Sequence, residues 1–234
     1  RHHSVTNLAA ADQRVDTCTN NFATLNPLEN YHAGGTFAEG NTYYTSVSSK
    51  HDFAISTMAM PAGKWYAEFV IVSGYDSANS TIRLGICTPN AGHRDSNNDS
   101  LGYENSNNIA SVNYAMHEGV VYESITTSQT AKISSLTTFA NGDVMGIALD
   151  LDNDKFFVSK NGTFFSNGTG TQDPVTGTNP LYSGGVLTSR KDLDGFVMVA
   201  GVYNNKVITE DAMEIPRILR YSFIFFYKNK ILNI

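Results

Sequence analysis

Residues 146–162 read Gly146-Ile-Ala-Leu-Asp-Leu-Asp-Asn-Asp-Lys-Phe-Phe-Val-Ser-Lys-Asn-Gly162. Ile147, Leu149 and Leu151 alternate with Ala148, Asp150 and Asp152, the period of two that puts apolar side chains on one face of a pleated strand. Asn153-Asp154 offers a two-residue turn, and Phe156 and Val158 then resume the alternation. Asn161-Gly162 supplies the strongest short hairpin signal, because both residues tolerate positive φ. The stretch predicts an antiparallel meander with Asp150 and Asp152 on its solvent face and Asp154 in a turn.

Further strands are expected near residues 22–25, 35–38, 42–47, 53–58, 65–72, 82–87, 109–114, 120–125, 131–134, 144–152, 155–160 and 196–203. In the strand from Trp65, Trp65, Ala67, Phe69 and Ile71 share one face and Tyr66, Glu68, Val70 and Val72 the other, which predicts a central strand. No segment carries a sustained helical stripe. The chain has 234 residues and 41% hydrophobic content, enough for one sizeable all-β core. The prediction is a two-layer antiparallel β-sandwich closing over Trp65, Phe69, Ile147 and Leu149. Residues 1–20 read as an N-terminal arm, 21–208 as the sandwich and 209–234 as an atypical tail.

A net charge of −6 removes the attraction that drives phosphate-backbone binding, so nucleic acid is not an expected partner. The two cysteines, Cys18 and Cys87, read as thiols, not as a disulfide framework. The first residue is Arg1 and no apolar leader follows, so no secretory signal is expected.

Four motifs agree in order with the SPRY (B30.2-like) domain, a concanavalin A-like β-sandwich. Gly63-Lys-Trp-Tyr-Ala-Glu-Phe69 resembles the family's G-x-x-Y-x-E-V strand, and Arg83-Leu-Gly-Ile-Cys-Thr88 its glycine-containing strand. Leu101-Gly-Tyr-Glu104 and Ser111-Val-Asn-Tyr114 fall where the family passes from a glycine-rich loop into its middle strands, and 146–162 resembles its central hairpin. The resemblance covers about residues 60–205. Asp16-Thr-Cys-Thr-Asn-Asn-Phe-Ala-Thr-Leu-Asn-Pro-Leu28 is similar to the segment preceding SPRY domains in virion proteins of tailed bacteriophages, with Cys18 where that pattern has proline.

After Gly201-Val-Tyr-Asn-Asn205 the chain departs from that pattern and lacks its N-F-G and P-P-x-G-Y segments. Residues 215–234 set Arg217, Arg220, Lys228 and Lys230 around the apolar run Tyr221-Ser-Phe-Ile-Phe-Phe-Tyr227. The run is too short to span a membrane, and an aromatic β-prone run is an edge-pairing hazard unless it packs on a neighbour. The first reading is an assembly strand; a readthrough product and a membrane contact are the alternatives.

Chemistry-bearing patterns are few. Asp150, Asp152 and Asp154 begin like a calcium loop, but Lys155 stands at the loop glycine and Asn161 where a bidentate Glu is needed. Glycoside hydrolysis needs two facing carboxylates; Glu118 and Glu123 are five apart, which on a strand puts them on opposite faces. Glu68 falls at the family's structural Glu. His32, His51, His93 and His117 show no zinc spacing, and no G-x-S-x-G elbow occurs. Asn79, Asn98, Asn161 and Asn167 begin sequons of the kind an Asn/Ser/Thr-rich chain yields by chance. No catalytic residue, metal or cofactor is therefore assigned.

The resemblance implies that loops at one end of the sandwich meet a partner. The candidates are Tyr75, Asp76, His93, Arg94, Asp95, Tyr103, Tyr114 and His117, since Tyr and Arg bring large contact area with hydrogen-bonding tips. The expected function is that of a non-enzymatic accessory protein of a bacteriophage virion. Its expected partners are other virion proteins, further copies of itself and a host glycan or protein. A carbohydrate-active tail enzyme and a cytosolic peptide-binding adaptor are the alternatives.

Overall fold

The computed structural model describes residues 23–29, 35–46, 50–72, 81–89, 110–125, 128–190, 195–204 and 224–225. Its strands are β1 (Thr36–Ala38), β2 (Tyr43–Thr45), β3 (Lys50–Ile55), β4 (Lys64–Val70), β5 (Thr81–Cys87), β6 (Ala110–Ala115) and β7 (Val120–Ile125). β8 (Ser128–Ile133), β9 (Val144–Asp150), β10 (Lys155–Lys160), β11 (Thr163–Phe164) and β12 (Tyr182–Ser183) follow. A short helix α1 (Val186–Arg190) then leads to β13 (Val197–Asn204) and β14 (Ile224–Phe225).

Two antiparallel sheets form the sandwich. One runs β11-β10-β9-β4-β14, with β12 also on β10, and the other runs β3-β13-β5-β6-β7-β8; β1 and β2 make a separate hairpin. Alternation of side chains turns Phe69, Ile147, Leu149, Phe156 and Val158 inward from the first sheet to meet Leu84, Ile86, Val112, Tyr114, Val121 and Met198 from the second in one buried cluster. Trp65 is only partly buried at the margin of this cluster, where its Nε1 donates to the Ala62 carbonyl at 2.8 Å.

Several expectations are corrected. The β9–β10 turn is four residues, because Asp150 pairs with Lys155 and Leu151 folds inward to 1% exposure, its N–H donating to Gly63 O at 2.9 Å. Asp150 is buried and not solvated, for reasons given below. β4 lies between β9 and β14 as expected, with β14 pairing at two positions among the described residues, but the second face of β4 is not core: Tyr66, Glu68 and Val70 are half-buried. Of the strand expected at 22–25, residues 23–25 are described, and they contribute an isolated bridge, Leu25 to Ser56, and not a strand.

The hairpin at Asn161-Gly162 follows its chemistry. Lys160 pairs with Thr163, and the two intervening residues have φ of 51° and 78°, the primed-turn geometry that suits strand twist. Elsewhere on β10 a side chain stands in for a strand. Gln172 is buried; its Oε1 accepts from Val158 N at 2.8 Å and its Nε2 donates to Val158 O at 2.9 Å, completing the edge as a peptide group would.

Candidate recognition surface

The β6–β7 turn, residues 116–119, presents the described part of the candidate site. Glu118 N and Gly119 N both donate to Ala115 O, at 3.2 and 2.9 Å, and Gly119 has φ of 63°. A Cβ at Gly119 would lie 2.2 Å from the Leu136 carbonyl oxygen, so this turn requires glycine on both conformational and steric grounds. The turn holds His117 and Glu118 beside Tyr122 on β7 and Arg83 on β5.

These four side chains interlock. His117 Nε2 lies 3.0 Å from Glu118 Oε1, the Tyr122 hydroxyl donates to Glu118 Oε2 at 2.6 Å, and the Arg83 guanidinium lies 4.7 Å from the centre of the Tyr122 ring. Burial lowers the His117 pKa and the nearby Arg83 charge lowers it further, while Glu118 opposes both. His117 is therefore neutral near pH 7. With Nε2–H directed at Glu118, its buried Nδ1 is a bare acceptor without a hydrogen-bond partner.

Of the other predicted contact residues, Tyr114 is corrected. It points inward from β6, is fully buried and packs edge-on against Phe139 and Phe165, with ring centres 5.6 and 6.1 Å away. Its hydroxyl donates to Thr137 O, and burial raises its pKa. Alternation along β6 with Val112 explains the placement. Tyr75, Asp76, His93, Arg94, Asp95 and Tyr103 lie outside the described residues.

The attachment points of their loops are informative. Residues 73–80 lead into β5 at Thr81, the end of the sheet that carries the β6–β7 turn, whereas residues 90–109 leave after Cys87 and re-enter at Ala110. β5 is about 20 Å long at strand rise, so the two loops are rooted at opposite ends of this sheet. Only the first is rooted beside His117.

The acidic residues weighed for catalysis are occupied in structural bonds. Glu68 accepts from the Tyr66 hydroxyl at 2.7 Å. Glu123 faces inward from β7 and accepts from Lys132 Nζ, the Tyr182 hydroxyl and Val186 N, the last at 3.0 Å. Burial pushes the Glu123 pKa up, but these donors outweigh it and bring it below the ordinary carboxylate value. No local pattern signals this site, because its partners lie on β8, β12 and α1.

Asp150 faces Lys64 and Lys155 across the register of β4, β9 and β10. Lys64 Nζ is 3.2 Å from Asp150 Oδ2, and the Asn153 backbone and side-chain amides donate to the same carboxylate. Asp152 Oδ1 accepts from Gly63 N and Asp154 Oδ2 from Thr188 Oγ1, both at 2.9 Å. The three acids thus serve three different partners, and among the described residues no group of three or more His, Cys, Asp or Glu could hold a metal. Cys87 is a fully buried thiol on β5, and Cys18 lies outside the described residues.

The sequence matches no known protein-family profile and no curated protein. Among solved structures the sandwich is similar to the SPRY domain of human HERC1, with a TM-score of 0.52 and 14% identity over 78% of this chain and 91% of that one. The fold is a SPRY-like β-sandwich. A carbohydrate-binding module, CBM66 from Bacillus subtilis, also matches at a TM-score of 0.39 and 12% identity over 79% of this chain and 95% of its own, too loosely to superpose a binding site.

Proposed function

We propose that this chain is a non-catalytic recognition module and works by surface contact as an accessory protein of a bacteriophage particle. The observation that carries the recognition reading is the interlocked His117–Glu118–Tyr122–Arg83 group, a polar and aromatic cluster with Glu118 exposed and Arg83 buried, at the end of the sheet where residues 73–80 attach. Preorganised polar and aromatic groups of this kind limit the entropy cost of contact. The occupied acids support a non-enzymatic role.

The phage assignment rests on the resemblance of Asp16–Leu28. Its described end is built into the sandwich: Leu25 is buried, Leu25 N donates to Asn41 O at 2.9 Å and Asn26 N to Ile55 O at 2.8 Å. In this reading the residues before it tether the module to other virion proteins, and the opposite task, contact with a host glycan or protein, falls to the loops.

Two measurements test the proposal. An antibody against the chain should label purified particles, and the purified protein should bind host cells or host polysaccharide with at least tenfold weaker binding for His117→Ala combined with Tyr122→Ala. Sugar release from host polysaccharide by the purified protein would sink the non-catalytic reading; absence from particles would sink the virion assignment.

A further inference from the structure

The outward face of β4 holds a carboxylate without a counter-charge. Ala67 and Phe69 point into the core, so Tyr66, Glu68 and Val70 share the opposite face, all three half-buried. Register sets Glu68 opposite Gly146 and Val70 opposite Val144, which is half-buried on the same face of β9. A Cβ at Gly146 would stand 2.5 Å from the Tyr66 hydroxyl oxygen, so glycine there makes room for the end of the Tyr66 ring over β9. The Tyr66 hydroxyl donates to Glu68 Oε1 at 2.7 Å and fixes the carboxylate beside the ring.

Three other carboxylates that the fold withdraws from water each face a lysine: Asp150 has Lys64, Asp143 has Lys160 and Glu123 has Lys132. Glu68 has no such partner. Among the described residues it makes no ion pair and its Oε2 accepts no hydrogen bond. A phenol compensates a half-buried charge less than an ammonium does, and a half-buried charge is screened less than an exposed one. A cation arriving from outside therefore gains an attraction that the fold itself leaves unused.

We propose that Tyr66, Glu68, Val70 and Val144 form a second contact site that takes an arginine side chain of a partner protein. A guanidinium can donate to Glu68 Oε2 while it lies against the Tyr66 ring, and its aliphatic stem covers Val70 and Val144. This combination suits arginine better than the compact, strongly hydrated ammonium of lysine. An uncharged sugar would offer hydroxyls to the carboxylate but leave its charge unpaired. The net charge of −6 adds long-range attraction for a basic partner. The site lies on the first sheet and the His117 group on the second, so the two are independent.

The experiment titrates the isotope-labelled full chain, observed by NMR, with a capped Gly-Arg-Gly peptide and with its citrulline counterpart, which keeps the shape of the side chain and removes its charge. The expected result is that the arginine peptide shifts the amide signals of residues 66–70 and 144–146 and binds about tenfold more tightly than the citrulline peptide, the size of one charge-assisted contact. Glu68→Gln, which keeps an acceptor for the Tyr66 hydroxyl, should lose that preference. Val70→Lys, which sets an ammonium on the same face, should lose it too. His117→Ala combined with Tyr122→Ala should retain it, whatever that variant does to binding of host cells or polysaccharide. Equal binding of the two peptides, a preference that survives Glu68→Gln and Val70→Lys, or shifts confined to other residues overturns the proposal. Shifts of the same signals by an uncharged oligosaccharide, with none from the arginine peptide, overturn it as well and assign the site to a glycan.

Discussion

The two turns that bound β10 do the same topological job by different physics. Asn161-Gly162 closes β10 onto β11 with positive φ at both residues and open space where a Gly162 Cβ would stand, and its ties outside the hairpin, Asn161 N to Val144 O, Val144 N to Asn161 Oδ1 and Asn161 Nδ2 to Asp143 Oδ1, all at 2.8 Å, reach only the start of the adjoining strand β9. Residues 151–154 close β9 onto β10 through tertiary ties. Leu151 enters the core, Asp150 meets Lys64 on β4, Asp152 receives Gly63 N, and Asp154 receives the Thr188 hydroxyl on α1. A turn whose backbone conformation is its main requirement, with ties only to the adjoining strand, reads largely from its residues, whereas one held by β4 and α1 shows its meaning only when those partners are in place.

The contrast breaks most sharply at Leu151. Replacing it by alanine empties a core position, and a loss of about 3 kcal/mol is expected in urea unfolding; a loss under about 1 kcal/mol would mean that the first turn is as local as the second.

Asp150→Asn should come next, at about 2 kcal/mol, since one member of a largely buried ion pair is neutralised while Lys64 remains half-exposed and can rehydrate. This variant also sharpens the electrostatic side. Burial raises the Asp150 pKa, but hydrogen bonds from Asn153 and the bond and charge of Lys64 outweigh it, leaving the carboxyl below its ordinary value. A depressed folded-state pKa means that its contribution is present above the unfolded value of about 4 and is lost as pH falls through the folded one. The stability gap between wild type and Asp150→Asn should therefore narrow in acid below about pH 4; a gap that stays constant there would remove the charge from the explanation.

Gly162→Ala tests the local turn alone. With open space around it, only backbone strain opposes the change, so a cost of about 1 kcal/mol is expected by the same unfolding measurement. Asp152→Ala should be the smallest effect, about 0.5 kcal/mol, because it removes one exposed hydrogen bond to Gly63 N. If it equalled the Asp150 effect, the tie to β4 would be shared and not centred on the ion pair.

The inward face of nearly every long strand was legible beforehand, since Phe69, Ile147, Leu149, Phe156 and Val158 follow the period of two that the core enforces. The outward face was not. Asp150 alternates as a solvated residue should, yet Lys64, Lys155 and Asn153 enclose it. The recognition surface was half legible: His117 stands in a turn as expected, with Glu118 beside it and Tyr122 on the strand that follows, but Arg83 joins them from β5 through cross-strand register that no linear spacing encodes. Tyr114 was misplaced as a contact residue because aromatic character does not distinguish a loop tip from the inward side of β6.

By itself the chain of residues determined the all-β class, most strand positions, the tight Asn161-Gly162 turn and the apolar positions of the core, because these depend on alternation and local backbone freedom. Tertiary structure alone decided which strand edges meet, which acids are buried, that Gln172 completes β10 and that Glu123 binds Lys132, Tyr182 and α1. The physical reason is desolvation: whether a polar side chain is a surface group or a buried tie is settled by the partners that exclude water from it, and those arrive from remote parts of the chain.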